Sequence, residues 1–323
     1  MPKLTYRPDP PTARVLAAIA ASDAPPYSAF TPDEARAQMH RAGEVGDLAP
    51  IPVAHVSDRT IPGPGGDLKV RLYDPVPEAA GPRPLTLFFH GGGFVIGDLD
   101  THDTIARALA HHSGAKLMAV DYRLAPEHPF PAAFDDAIAA FDWLIANARE
   151  IGADTPRLAV AGDSAGASLS IAVARHARSK DIALKAQGLL YPVCDLSKTY
   201  ASEAEFARTP PISTDVLDYF WGHFLGPSRT PELLRDLRLS PMLDPDLSGL
   251  PPAFVLTAGL DPLRDEGEAF AERLIAAGIE TQYFCVTGTI HGFLRMGKLI
   301  PSVEDTLKAA GTFLGRQLVS EAA

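Results

Sequence analysis

The chain has 323 residues, 46% hydrophobic and 21% charged, with a formal net charge of −11. So large an apolar share supports a substantial buried core and excludes a disordered chain. The acid excess, without any Lys/Arg-rich run, excludes a nucleic-acid binder, offers no attraction to anionic lipid and mildly disfavours anionic substrates.

In chain order, the first fifty residues predict two short helices, Thr12–Ala21 and Thr31–Arg41. The second opens on Thr31-Pro32-Asp33-Glu34, with proline at the first helical position. Val53–Ile61 and Leu68–Tyr73 read as strands around the turn Gly63-Pro64-Gly65-Gly66. The apolar run Leu85–Phe89 leads into a glycine-rich loop, followed by a helix over Thr101–His112 and a strand over Leu117–Val120. Ala132–Ala148 is helical by the spacing of Phe134, Ile138, Phe141 and Ile145. Leu158–Ala161 is a strand, Ala165–Arg178 a helix and Ala186–Tyr191 a strand. After Asp195 the alternation breaks until about Pro251, and this stretch holds an aromatic helix, Asp215–Leu225. Strand Ala253–Ala258, helix Glu268–Ala277, strand Gln282–Val286 and helix Val303–Leu318 complete the chain. Strands alternating with helices of this length imply a mostly parallel sheet covered on both faces.

The strongest chemical signal is Gly162-Asp163-Ser164-Ala165-Gly166, between a strand and a helix. A G-x-S-x-G elbow holds its serine on a sharp turn that only small neighbours fit. The amide groups and positive dipole end of the following helix favour a developing oxyanion. A second signal, His90-Gly91-Gly92-Gly93-Phe94, also follows a strand. Consecutive glycines let backbone N–H groups turn inward, so Gly92 and Gly93, with the amide of Ala165, are the expected oxyanion hole. The rival reading, a phosphate loop, lacks the G-x-x-x-x-G-K-[ST] pattern and a nearby lysine. His90 is expected to pin the loop rather than act as base.

A serine nucleophile needs a base, and the base an orienting acid. Of ten histidines, His291 stands out in Gly288-Thr289-Ile290-His291-Gly292-Phe293, after the strand Gln282–Val286. His40, His55, His111, His112, His128, His176 and His223 lie in helices, an early strand, a Pro-rich turn or the insertion. His102 opens a helix near the glycine loop and is a candidate lining residue. The acid should fall between serine and histidine at a strand end, which selects Asp261 over Asp265 and Glu266. Asp163, inside the tight turn, is expected to be structural. All four segments then sit at the carboxyl ends of strands, where active sites of open α/β sheets lie. Phe94, Tyr191, Phe220, Trp221 and Phe224 are candidate pocket walls, with plain core packing the competing reading.

At this point the chain resembles the hormone-sensitive-lipase-like (bacterial family IV) esterases of the α/β-hydrolase superfamily. The matching residues are His90-Gly91-Gly92-Gly93-Phe94, Asp121-Tyr122-Arg123-Leu124-Ala125-Pro126-Glu127, Gly162-Asp163-Ser164-Ala165-Gly166, Asp261-Pro262-Leu263-Arg264-Asp265 and His291-Gly292-Phe293. The resemblance implies an eight-stranded mixed sheet with helices on both faces. It also implies a helical cap, with residues 1–50 and an insertion at 195–240 over a catalytic domain of 51–194 and 241–323. It implies hydrolysis of short- to medium-chain acyl esters through a Ser-His-Asp acyl-enzyme, without metal or cofactor. The sequence departs from the family at Gly166-Ala167-Ser168, where Gly-Gly-Asn is usual. It departs again before His291, where Gly288 and the absence of proline suggest a mobile loop.

Two cysteines, Cys194 and Cys285, form no disulfide framework and no zinc spacing, so two buried free thiols are expected. Met1–Pro11 lacks the apolar core of a signal peptide, and no stretch of about 20 residues is apolar enough to span a membrane. The expectation is a cytoplasmic enzyme, with homodimerisation open. The competing functions are a non-catalytic ligand receptor on the same fold, an amide or lactone hydrolase using the same triad, and a nucleotide-binding α/β protein.

Overall fold

The computed structural model describes residues 6–22, 24–77, 81–227 and 229–319. Two helices come first, α1 (Pro10–Ala21) and α2 (Pro32–Gly46), each with proline in its first turn. The Asp9 carboxylate caps α1, and Thr31 with Glu34 forms a capping box on α2, satisfying amides that have no helical partner. Then follow β1 (His55–Gly63), β2 (Gly66–Asp74), β3 (Arg83–Phe89), α3 (Asp103–Ser113), β4 (Lys116–Asp121), α4 (Ala132–Asn147), β5 (Ala153–Asp163), α5 (Ala165–Ser179) and β6 (Ala186–Leu190). The insertion carries α6 (Ala201–Glu205), α7 (Thr214–Leu225) and α8 (Pro231–Leu234). The chain ends with β7 (Ala253–Leu260), α9 (Arg264–Ala276), β8 (Thr281–Ile290) and α10 (Ser302–Val319).

The eight strands form one sheet in the order β1-β2-β4-β3-β5-β6-β7-β8. β1 with β2 and β2 with β4 pair antiparallel, and every other pair is parallel. Central strands are apolar throughout because successive side chains enter different cores. On β3, Leu85, Leu87 and Phe89 join the core beneath α4, α5 and α9, while Phe88 joins the core beneath α3 and α10. On β7, Ala253 and Val255 face the first core, and Phe254, Leu256 and Ala258 the second.

Most elements run past their sequence-based bounds, α2 by a full turn to Gly46, and three of the extensions have a visible cause. β5 begins at Ala153, where Ala153 pairs with Arg83 ahead of a register shift. α9 begins at Arg264 rather than Glu268, because Gly267 in its first turns weakens the helical pattern. β8 continues to Ile290 instead of giving way to a mobile loop. Gly259 lets β7 come close to the Thr287 carbonyl, the ladder resumes at Leu260 and Ile290, and the Gly288 carbonyl accepts the Asp9 amide at 3.0 Å. Both cysteines are free, but only Cys194 is fully buried; Cys285, on the edge strand, is half-buried.

Candidate active site

β5 ends at Asp163 and α5 begins at Ala165, so the chain reverses at Ser164. Its φ of 54° and ψ of −121° are strained for a residue with a side chain. The flanking glycines are a steric necessity. A Cβ on Gly162 would lie 2.3 Å from the Gly166 carbonyl oxygen, and one on Gly166 would lie 2.0 Å from that of Phe89.

Three sequence-predicted residues meet here. His291 Nε2 stands 2.9 Å from Ser164 Oγ, and His291 Nδ1 stands 2.7 Å from Asp261 Oδ2. The other oxygen of Asp261 accepts the Leu263 amide at 2.8 Å, which orients the carboxylate. Ser164 is 8% exposed, His291 6% and Asp261 0%, so a hydroxyl and one imidazole edge face the cleft and the acid is sealed behind them. Asp265 and Glu266 lie within α9. Glu266 points elsewhere, accepting the Cys194 amide at 2.8 Å.

The glycine loop adjoins Ser164. Gly92 has a φ of 124° and Gly93 of 60°, conformations that glycine adopts without strain. Among the described residues, the amides of Gly92, Gly93 and Ala165 donate to no acceptor of the chain. The loop is held from below. The Gly91 amide donates to Asp163 Oδ1 at 2.9 Å, and the Tyr122 hydroxyl donates to the His90 carbonyl at 2.7 Å. His90 stacks on Tyr122 with ring centroids 4.3 Å apart. Burial and the neighbouring His102 push its imidazole down to about 4, so it is neutral at physiological pH. Burial works to raise Asp163, but His102, His90 and the Gly91 amide outweigh it and hold the carboxyl below its ordinary value.

A cleft of about 580 Å³ opens above Ser164. Gly92, Gly93, His102, Phe220, Trp221 and His291 line it, and so does a group that the sequence pattern did not single out: Val15, Ile19, Tyr27, Met39, Leu217 and Leu263. The (i, i+4) pair Val15 and Ile19 was the available signal, but periodicity does not say what an apolar face meets. Phe94, Tyr191 and Phe224 are not walls. Phe94 stacks face-on against Phe224 at 4.0 Å, and both are buried in the core under α7. Tyr191 lies against the His291 imidazole, with ring centroids 4.8 Å apart and its hydroxyl 3.4 Å from Asp163 Oδ2. Among the described residues no group of three or more His, Cys, Asp or Glu could hold a metal ion, and no helix is long and apolar enough to cross a membrane.

Comparison with known proteins agrees with this fold. A family model described as the alpha/beta hydrolase fold matches residues 86–295. The carboxylic ester hydrolase LipN of Mycobacterium tuberculosis is 42% identical over 261 residues, spanning 78% of this chain and 68% of its own. The ethyl acetate hydrolase of Pseudomonas putida is 37% identical over 289 residues, spanning 87% and 89%. The structure of an ester-hydrolase from the metagenome of Lake Arreo, complexed with a derivative of bipyridine phosphonate, superposes with a TM-score of 0.92. It is 41% identical, and the match covers 97% of this chain and 100% of that one. With its sheet order, its elbow and these relatives, the chain belongs to the α/β-hydrolase family, among the hormone-sensitive-lipase-like carboxylesterases.

Proposed function

We propose that this carboxylic ester hydrolase cleaves short- to medium-chain acyl esters, with Ser164 as nucleophile, His291 as base and Asp261 as the orienting acid. The observation that carries the assignment is the unbroken pair of hydrogen bonds, 2.9 Å from serine to imidazole and 2.7 Å from imidazole to carboxylate. Ser164 Oγ attacks the ester carbonyl carbon as its proton passes to His291 Nε2. The amides of Gly92, Gly93 and Ala165 receive the tetrahedral oxyanion, each such donor being worth about 3 kcal/mol in the transition state. His291 then protonates the leaving alcohol. Water repeats the sequence on the acyl-enzyme and releases the acid, so water is the only co-reactant. Asp261 holds the imidazole tautomer and stabilises the imidazolium.

Residues 1–50 and 195–240 act, in this reading, as the cap over residues 51–194 and 241–323. The apolar side chains that they bring to the cleft, among them Val15, Met39, Leu217 and Trp221, suit an acyl chain of modest length. The reading also includes a cytoplasmic location and a homodimer, which cell fractionation and sedimentation test.

Ser164→Ala is expected to cut turnover of p-nitrophenyl butyrate by at least about 10³-fold with an unchanged Tm. A fluorophosphonate should label the wild-type chain at Ser164 alone. Turnover by Ser164→Ala near that of the wild type refutes the assignment. A p-nitroanilide series run beside the ester series separates ester from amide hydrolysis.

A further inference from the structure

The loop carrying His291 is fastened on both flanks to the N-terminal segment. Upstream, the Asp9 amide donates to the Gly288 carbonyl at 3.0 Å. Downstream, Arg295 Nη2 donates to the Met39 carbonyl at 3.2 Å and to Asp47 Oδ2 at 3.3 Å. The Lys298 amide donates to the Gly46 carbonyl at 3.0 Å, and its ammonium to the Glu44 carbonyl at 2.9 Å. The approach is close: a Cβ on Gly46 would lie 2.9 Å from the Arg295 carbonyl oxygen.

The same helix is also fastened beside the glycine loop. Arg36 Nε donates to the Val95 carbonyl at 3.0 Å, and Nη2 donates to the Ala125 carbonyl at 3.0 Å. Its two Nη atoms grip Glu127 at 2.8 and 2.7 Å. One turn further along, His40 Nε2 lies 2.7 Å from Asp98 Oδ2. Helix α2 therefore bridges the segment that presents Gly92 and Gly93 and the segment that presents His291.

Resting on the roles assigned above, we propose that α2 is a strut that sets the distance between base and oxyanion hole, with Arg36 and Asp47 as positioning residues at its two ends. Neither is found among the described residues lining the cleft, so neither reaches substrate directly. Asp47 acts through Arg295 on the turn after His291, and Arg36 acts through the Val95 carbonyl on the turn after Gly93. Acyl transfer is steep in geometry, since a displacement of about 1 Å costs up to about 10²-fold in rate. An ordinary structural ion pair would lower Tm and leave turnover below the melting range untouched.

The test compares Asp47→Ala, Arg36→Ala and, as control, Arg59→Ala, which breaks only the surface pair with Glu150. kcat and KM for p-nitrophenyl butyrate, and the rate of fluorophosphonate labelling, are measured well below each Tm. Both strut variants should lose about ten-fold in kcat and in labelling rate with KM within about two-fold. Asp47→Glu should recover most of the loss, and the control should match the wild type. Where an alanine variant does not fold, Asp47→Asn and Arg36→Lys replace it, with a smaller drop of the same kind. Strut variants with kcat and labelling rate equal to the wild type, whatever their Tm, overturn the strut alone. A wild-type chain that takes no label at Ser164 overturns the catalytic assignment on which it rests.

Discussion

Two buried carboxyl groups beside the active site are shifted in opposite directions, and the difference lies in their neighbours. Asp163 meets His102, His90 and the Gly91 amide, which together overcome the effect of burial and keep its carboxyl below the ordinary range. Glu266 meets one backbone amide, while burial and the acids Glu203, Asp195 and Asp261 push its carboxyl well above 4.5. Above that pH the folded chain binds the Glu266 proton more tightly than the unfolded chain does. Stability from this group is therefore lost as pH rises from 4.5 toward the folded value. Glu266→Gln keeps an acceptor for the Cys194 amide and removes the titration. The difference in Tm between variant and wild type should move in the variant's favour as pH rises from 5 to 8. A difference that stays constant across this range would count against a raised Glu266 carboxyl.

Helix α7 shows how one element serves two purposes. Phe224 is fully buried, stacked on Phe94 and set edge-on against Phe130. Trp221, about one turn earlier on the same face, has its ring centroid 6.4 Å from that of Phe94 but is only half-buried and lines the cleft. Phe224→Ala leaves a cavity in packed core, and chemical unfolding should show a loss of about 3–5 kcal/mol. Trp221→Ala removes a half-buried ring that packs against the core, so stability should fall by less than for Phe224→Ala while the preferred acyl length shifts. A profile of p-nitrophenyl acetate to decanoate measures the shift, and an unchanged profile removes Trp221 from the pocket wall. The sequence showed α7 to be an aromatic helix. It did not show which aromatics face inward, because Phe220, Trp221 and Phe224 stand within five residues of one another and present the same composition to any periodic pattern.

At the scale of the whole molecule, the net charge of −11 surrounds a cleft that is mostly apolar. A negative field slows the arrival of anionic substrates and is screened by salt, with a Debye length that falls from about 30 Å at 0.01 M to about 8 Å at 0.15 M. Raising ionic strength across that range should increase kcat/KM for a monoester of a dicarboxylic acid and leave that for a neutral ester of equal length unchanged. Equal salt responses for the two substrates would show that the field does not reach the cleft mouth.

The linear order of residues alone determined the sheet-and-helix alternation and singled out Ser164, Asp261 and His291, which the fold brings within hydrogen-bond reach. Parallel strands must be apolar throughout, and a nucleophile elbow must have glycine where Gly162 and Gly166 stand, so both leave local patterns. The tertiary structure decided that Phe94, Tyr191 and Phe224 are core while Val15, Met39 and Leu263 are wall. It also decided that Gly288 lies in a strand held by Asp9, and that α2 joins two loops far apart in the chain. These features depend on which faces meet after folding. Contacts between segments separated by more than 200 residues leave no period or motif in either one.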